Sequence, residues 1–141
     1  MWGHLSEEEA RELMSRKNFA HLGCMLEDSM PYVVPVNYLL KNGAIYVHSL
    51  EGTKLRALRI NRNACVQVED IKAPYKWKSA IAFGRFEEVL DPDEKAEVLE
   101  ELLAHFATLT PVEGIEAEQP ASEDLVVFRI RVSSLTGVSE N

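Results

Sequence analysis

The pattern of hydrophobic and polar positions predicts a mainly β chain. Six segments are rich in β-branched and aromatic residues or alternate apolar with polar positions, as strands do. They are FAHLGCML (19–26), PYVVPVNYLLK (31–41), AIYVHS (44–49), ACVQVEDI (64–71), WKSAIAFGRFEEVL (77–90) and LVVFRIRVSSLTGV (125–138). Because most of their links are hairpin-like, we expect an α+β fold built on six antiparallel strands, as a sheet or small barrel, with flanking helices.

Helices are predicted between and around these strands. Ser6 and Glu9 form a capping-box pattern ahead of an apolar stripe, which predicts a helix over about residues 6–17. Asp91 followed by Pro92 is a typical helix start, with a capping side chain and a proline at the first helical position. With one further helix between the third and fourth strands, the pattern predicts three helices.

Glycines and a proline mark special points in the strands. Asn42-Gly43 predicts a type I′ hairpin turn between the second and third strands. Gly84, in the middle of the long fifth strand, predicts a bend or bulge. Pro35 removes a ladder donor, so we expect its strand to lie at an edge, or to be bulged or split at that point.

The composition limits the class of protein. A chain of 141 residues with 46% hydrophobic and 27% charged residues predicts one globular domain over residues 1–141. No apolar run reaches the ~20 residues of a membrane span, and the N-terminus lacks the pattern of a secretory signal. Cys24 and Cys65 lack metal or redox spacing and are expected to be buried, reduced thiols. We therefore expect a cytoplasmic protein.

The charge is unevenly distributed. The net charge of −8 argues against nucleic acid or an anionic membrane as a partner, because both need a broad basic face. Between positions 54 and 78, however, seven basic residues stand against two acidic ones. One pocket-sized anion suits such a local cluster better than a polymer. No pair of histidines or carboxylates has the spacing of metal ligands, so no metal site is predicted.

The segment YVHSLEGTKLRALRINR (46–62) begins this basic region. It predicts a strand, a turn and a helix over about residues 52–63, with Lys54 in the first turn, where the helix dipole disfavours a cation. An anion docked on the free N–H groups of Gly52, Thr53 and Lys54 would make the lysine favourable. The alternative is a solvated basic helix face. The segment is not a phosphate-binding loop of the GxxxxGK[ST] type.

Longer segments carry a resemblance to a known family. They are HLGCMLEDSMPYVVPVNY (21–38), IYVHSLEGTKLRALRINRNACVQVE (45–69) and WKSAIAFGRFEEVLDPDEKAEVLEELL (77–103). With them the chain resembles the pyridoxamine 5′-phosphate oxidase-like flavoproteins, the FMN-binding split β-barrels. Within these it is most similar to the nitroimidazole-resistance (Nim-type) branch. The resemblance implies a split β-barrel with FMN as the cofactor.

The resemblance also implies which residues contact FMN. The phosphate would be held at the helix start, by Ser49, Gly52, Thr53 and Lys54. The isoalloxazine ring would run beside one strand segment, mostly against backbone groups of Pro35, Val36, Asn37 and Tyr38.

Three further residues and a second chain follow from the same resemblance. The position of Ser79 faces the flavin or its ribityl chain, and Trp77 lies near it. His48 would contact the cofactor; a proton donor, a haem ligand and a structural histidine are its other interpretations. In this fold the flavin lies at a homodimer interface, so a second copy of the chain is implied as partner.

The sequence departs from the true oxidases at the substrate side. Their Trp- and Arg-rich end is replaced by FRIRVSSLTGVSEN, and their arginine-rich lead-in to the ring-contacting strand by VVPVNY. Vitamin B6 is therefore not expected as the substrate. No catalytic residue is predicted, because a flavin carries the redox chemistry itself.

Several functions stay open on the sequence. The leading one is an FMN-dependent oxidoreductase that reduces a small organic acceptor, with a nitroaromatic compound as one candidate. A non-catalytic flavin or haem carrier, sensor or storage protein is the second, and a deazaflavin binder the third. The acidic segment 110–124 is predicted to be a surface loop or lid, which would close over a substrate or cap the cofactor.

Overall fold

An antiparallel sheet of eight strands is the frame of the molecule, seen in a computed structural model that describes residues 1–109 and 125–141. The acidic segment 110–124 lies outside the described residues. The elements are β1 (Trp2–His4), α1 (Glu7–Arg16), β2 (Phe19–Met25), β3 (Pro31–Asn37), β4 (Leu39–Lys41), β5 (Ala44–Ser49), α2 (Thr53–Ile60), β6 (Asn63–Ala73), β7 (Lys76–Glu88), α3 (Pro92–Leu109) and β8 (Val126–Glu140).

The strands follow the order β3-β2-β6-β7-β8-β5-β4, and β1 pairs with β8 beside this path. Every pairing among the described strands is antiparallel. The long strands β6, β7 and β8 form the centre of the sheet, and β3 lies at one end of the path. The predicted fold class, mainly β and antiparallel with flanking helices, is confirmed.

The number of strands differs from the prediction of six. One additional strand is β1, which is too short to show a pattern and forms because Trp2 pairs with Glu140 at the end of β8. The other arises because the segment 31–41 is divided at Tyr38, between β3 and β4. The Tyr38 side chain is buried in the core, and its phenol O–H donates a hydrogen bond to the carbonyl of Met14.

The local signals in the sequence produce the predicted geometry. The Ser6 hydroxyl accepts a hydrogen bond from the Glu9 N–H at 3.1 Å, and the Glu9 carboxylate accepts one from the Ser6 N–H at 2.9 Å, which completes the capping box. Asn42 and Gly43 both have positive φ, 52° and 75°, as a type I′ turn requires. The pairing of β7 with β8 changes register between Phe83 and Gly84, so the predicted irregularity is a bulge.

The main core lies on the face of the sheet that packs against α1 and α2. Its fully buried side chains include Leu13, Met14, Leu22, Leu55, Leu58, Phe128 and Ile130. A smaller cluster joins α3 to β5 and the start of β8. Among the described residues no helix combines the length and apolar character needed to cross a membrane.

The opposite face of β2, β3, β6 and β7 is called the outer face below. It carries Phe19, Val33, Ile71 and Phe83, each more than two-fifths exposed. Both cysteines are free, and Cys24 is buried as predicted. The prediction of a buried thiol was wrong for Cys65, which is only partly buried because it lies on the outer face, paired with Gly23.

Candidate functional site

The turn between β5 and α2 leaves a helix start without a side-chain cap. Gly52 is the N-cap residue, and no side chain caps α2. Its carbonyl accepts the first helical hydrogen bond, from the Arg56 N–H at 3.1 Å. The N–H groups of the first turn have no intrahelical acceptors, and this turn contains no acidic residue. The local arrangement therefore offers hydrogen-bond donors to an anion.

Lys54 is a half-buried cation in that first turn. Burial lowers the pKa of its ammonium group, and the Cys24 thiol lies close enough to interact with it electrostatically. In residues 1–109 and 125–141 no acid forms an ion pair with Lys54. A partly desolvated charge without an opposite charge is unfavourable, so this position is suited to an anionic ligand.

The other arginines of the basic segment behave differently. Arg59 is held between two acids, with distances of 2.7 Å to Glu51 and 3.0 Å to Glu88. Arg56 and Arg62 are exposed. The interpretation as a solvated helix face therefore fits Arg56 and Arg62, whereas Arg59 is ion-paired and Lys54 is half-buried without an acid partner among the described residues.

His48 and Ser49 end β5 beside the same helix start. His48 is half-buried; burial and then the Lys54 charge lower the pKa of its imidazole, which favours the neutral ring. Ser49 is buried, and its hydroxyl donates to the Leu50 carbonyl at 2.7 Å. The Thr53 hydroxyl accepts a hydrogen bond from Arg56 at 3.3 Å, so its own proton can be donated elsewhere.

The segment Pro35–Tyr38 lies at the edge of the sheet, where Pro35 and Asn37 are exposed. Val36 and Tyr38 are buried in the core. The Tyr38 N–H donates to the Asn18 carbonyl at 3.0 Å. The antiparallel alternation then directs the backbone polar groups of Pro35 and Asn37 away from β2.

This placement explains how Pro35 is accommodated in β3. The strand lies at the edge of the sheet and pairs, among the described strands, only with β2. The donor that proline lacks would have pointed outward, so the ladder with β2 is not interrupted. Of the three outcomes considered for Pro35, the edge position is the one found, and the division of the segment occurs three residues later.

Two parts of the site are separated by a distance that suits an elongated ligand. Lys54 lies close to Cys24, which pairs with Tyr32. Pro35 and Asn37 lie three and five residues beyond Tyr32 along β3, which places them roughly 10–17 Å from Tyr32 at the rise of a strand. A ligand with a phosphate at one end and a planar ring at the other matches this spacing.

A cavity opens beside Cys24, between the β2–β3 hairpin and the start of β6. Its volume is about 380 Å³, and its lining includes Tyr32, Val33, Asn61, Cys65 and Phe83. Most of this lining is apolar. The cavity therefore opens onto the outer face at Val33, Cys65 and Phe83, and Lys54 is not among the residues that line it.

Trp77 and Ser79 lie far along the outer face from this region. Phe83 pairs with Cys65 near the cavity, and Ser79 and Trp77 are four and six residues further along β7, roughly 13–20 Å away. The Trp77 indole N–H donates to the Glu140 carboxylate at 2.9 Å, and its ring meets Trp2 edge-on, with centroids 5.2 Å apart. Within one chain these two residues therefore lie well away from Phe83 and the cavity.

Sequence reasoning missed two features of the outer face. One is the set of exposed apolar side chains, and the other is a hydrogen-bonded row from His21 through Gln67 to Ser79. The alternation of β2 contained a signal for the first, because Phe19 falls on the same face as His21 and opposite the core residue Ala20. Predicting the hydrogen-bonded row would have required the register between β2 and β6, which a single sequence does not supply.

Known proteins support the fold found here. A model of the pyridoxamine 5′-phosphate oxidase family matches residues 6–139. A FAD-binding protein of Mesorhizobium loti superposes with a TM-score of 0.84 at 26% identity, over 100% of this chain and 99% of that one. A candidate 5-nitroimidazole antibiotic resistance protein of Bacteroides thetaiotaomicron gives a TM-score of 0.75 at 20% identity, over 99% and 89% of the two chains. The second likeness shows the fold alone.

A curated relative is matched over a shorter stretch. An uncharacterized protein of Rhizobium meliloti (strain 1021) is 29% identical over 85 residues, which are 60% of this chain and 56% of that protein. The match thus spans little more than half the length of this relative. Together, the family match and the shared fold confirm the resemblance predicted from the sequence.

Proposed function

The chain belongs to the pyridoxamine 5′-phosphate oxidase family, and from this premise we propose that it is a homodimeric, FMN-binding oxidoreductase. The observation that carries the proposal is the half-buried Lys54, which lies at an uncapped helix start and pairs with no acid among the described residues. A phosphate group would satisfy both the charge and the helix donors. The FAD-binding relative from Mesorhizobium loti supports a flavin as the phosphate carrier.

Each part of the site then has a role in holding the cofactor. The N–H groups of Thr53 and Lys54 and the Lys54 ammonium bind the phosphate, and Gly52 lets the ligand approach the backbone closely. The Ser49 hydroxyl donates to the Leu50 carbonyl in the free protein and would have to turn away from it to donate to the phosphate. His48, neutral in its buried position, donates or accepts a hydrogen bond without adding charge.

The edge strand would hold the ring. Backbone groups of Pro35 and Asn37 face the open edge, while the buried side chains of Val36 and Tyr38 fix the strand against the core. A bound flavin supplies reversible electron transfer. The protein's contribution is to anchor the phosphate, orient the ring and exclude water from one side of it.

The outer face supports a homodimer. Exposed apolar residues on one face of a sheet are typical of a protein interface, and Phe19, Val33, Ile71 and Phe83 form such a set here. We assign Trp77 and Ser79 to the flavin anchored in the second copy, because along β7 they lie roughly 13–20 Å from Phe83 at the cavity.

The proposed substrate is a small organic acceptor, and nitroaromatic compounds are the first class to test. The shared fold with the Bacteroides protein motivates this choice. We propose FMN rather than FAD because the Lys54 site accounts for one phosphate. FAD is the alternative that the experiment separates.

The test is a titration of the purified protein with FMN and, separately, with FAD, followed by absorbance and ultrafiltration. We expect saturable binding of one FMN per chain, and oxidation of reduced nicotinamide when a nitroaromatic acceptor is added. Failure to bind either flavin would contradict the proposal. If the protein binds a flavin tightly but no electron donor and acceptor give turnover, the proposal of an oxidoreductase is wrong and the protein is a flavin carrier.

A further inference from the structure

A row of hydrogen-bonded polar side chains crosses three strands on the outer face. His21 Nδ1 lies 3.1 Å from Gln67 Oε1, and Gln67 Nε2 lies 3.0 Å from Ser79 Oγ. His21 belongs to β2, Gln67 to β6 and Ser79 to β7. Gln67 is therefore the central member and bonds to both of the others.

The side-chain amide of Gln67 determines which atoms of this row donate hydrogen bonds and which accept them. Gln67 Oε1 accepts only, so the proton of the His21 ring lies on Nδ1 and is donated to it. Gln67 Nε2 donates to Ser79 Oγ, so the Ser79 oxygen acts as an acceptor within the row. The hydroxyl proton of Ser79 is then left for an acceptor outside the row.

The surroundings hold the row in place and join it to the edge strand. His21 pairs across the ladder with Pro35 on one side and with Gln67 on the other. Directly paired residues of an antiparallel sheet lie on one face. The Phe19 ring meets the His21 ring edge-on, with centroids 6.3 Å apart. The row thus begins beside Pro35 and ends at Ser79, two residues assigned above to cofactor binding.

We propose that Gln67 and His21 are positioning residues that present the Ser79 hydroxyl as a hydrogen-bond donor to an acceptor atom of the flavin held by the second copy. The acceptor is a carbonyl oxygen, a ring nitrogen or a ribityl oxygen. The inference rests on the proposed function, since it concerns the same cofactor. It adds two residues that do not touch the flavin but determine how Ser79 does.

The substitution Gln67→Glu tests the direction of the row. A carboxylate cannot donate, so Ser79 must turn its proton toward residue 67 and present a lone pair to the flavin. Loss of one hydrogen bond predicts an FMN Kd raised about five- to tenfold, with a shift of the absorption bands of the bound flavin. Gln67→Met removes the row without adding charge, and we expect a smaller loss of about two- to threefold, because the hydroxyl is then free to rotate.

The double variant Gln67→Glu/Ser79→Ala separates positioning from a general effect of charge. If Gln67 acts through Ser79, the double variant binds FMN no more weakly than Ser79→Ala alone. Equal effects of Gln67→Glu with and without the Ser79 hydroxyl would overturn the inference, and so would an unchanged Kd in Gln67→Glu. Circular dichroism of each variant establishes that it is folded.

The proposed function and this inference fail in different ways. A wild-type protein that binds no flavin overturns both. A wild-type protein that binds FMN, loses it in Lys54→Ala and retains it unchanged in Gln67→Glu overturns the positioning row alone.

Discussion

His48 lies beside Lys54, and burial together with that charge lowers the pKa of its imidazole. Lys54 is itself half-buried, and burial lowers the pKa of its ammonium group. The Lys54 charge thus disfavours protonation of His48, and among the described residues no acid pairs with Lys54. A phosphate placed between them would reverse this, because an opposite charge stabilises both protonated forms.

A pH titration of His48 follows from this relationship. In the free protein we expect its pKa below the ordinary value of 6.5, because its charged form is disfavoured. Bound FMN should raise that pKa, so that FMN affinity increases as the pH falls toward it. NMR of the His48 ring protons with and without FMN checks both shifts. A pKa that does not respond to FMN would place the phosphate elsewhere.

The same shift gives the free protein a pH-dependent stability. The folded state binds fewer protons at His48 than the unfolded state does, so the free energy of unfolding decreases as the pH falls below about 6.5. Replacing His48 with Gln removes this contribution. Urea unfolding at pH 7.5 and 5.5 should therefore show a smaller difference in the variant than in the wild type; identical differences would argue against a neutral, buried His48.

Gly52→Ala tests whether a ligand approaches the start of α2 closely. A Cβ at Gly52 would meet no atom within 4 Å, and the backbone there is extended, with φ of 173°. We expect the free energy of unfolding to change by no more than about 1 kcal/mol, the scale of an N-cap substitution. FMN binding should weaken by about tenfold or more if the phosphate contacts this backbone. Unchanged affinity would indicate that the ligand binds away from Gly52.

Gly84→Ala tests the bulge in β7. A Cβ at Gly84 would lie 2.1 Å from the Arg131 carbonyl oxygen, a contact that only movement of the backbone can relieve. We expect a loss of about 3 kcal/mol of stability and a Tm lower by roughly 10 °C. Gly3→Ala is the matched control, because its Cβ would lie an ordinary 3.5 Å from Ser139 Oγ. Equal Tm values for the two variants would mean that the bulge is easily rearranged.

Phe83→Glu tests the outer face as the dimer interface. Burying a carboxylate in an apolar contact is unfavourable, so the variant should be monomeric by light scattering and should bind FMN more weakly. Leu90→Glu is the control; Leu90 is 76% exposed but lies in the link after β7 rather than on the outer face. A dimeric Phe83→Glu, or a monomeric Leu90→Glu, would contradict this assignment.

The sequence predicted the elements that depend on local chemistry. The capping box at Ser6, the turn at Asn42-Gly43 and the bulge at Gly84 each follow from what a few neighbouring residues can do, and the structure contains all three. The predicted number of strands was wrong for a non-local reason. β1 forms by pairing with the distant strand β8, and Tyr38, at the division between β3 and β4, is buried and donates a hydrogen bond to the distant carbonyl of Met14.

In the candidate site, too, the sequence predicted the features that depend on neighbouring residues and missed those that depend on packing between distant ones. The segment around Lys54 indicated an anion site because the residues involved are neighbours in sequence. That Lys54 is half-buried beside Cys24 and His48, whereas Arg59 is paired with acids, depends on how α2 packs against β2 and β5. The spacing of Trp77 and Ser79 from the cavity at Cys65 and Phe83, on which the proposal of a site shared between two chains rests, required the register of β6 with β7.

The central claim, that Lys54 anchors the phosphate of a flavin, is tested most directly by the FMN Kd of Lys54→Ala beside that of Arg56→Ala. Both variants remove one positive charge from the first turn of α2, but Arg56 is exposed. We expect Lys54→Ala to raise the Kd about 10- to 100-fold, the range of a hydrogen bond to a charged group, and Arg56→Ala to change it by less than about threefold. Equal Kd values for Lys54→Ala and the wild type would contradict the claim.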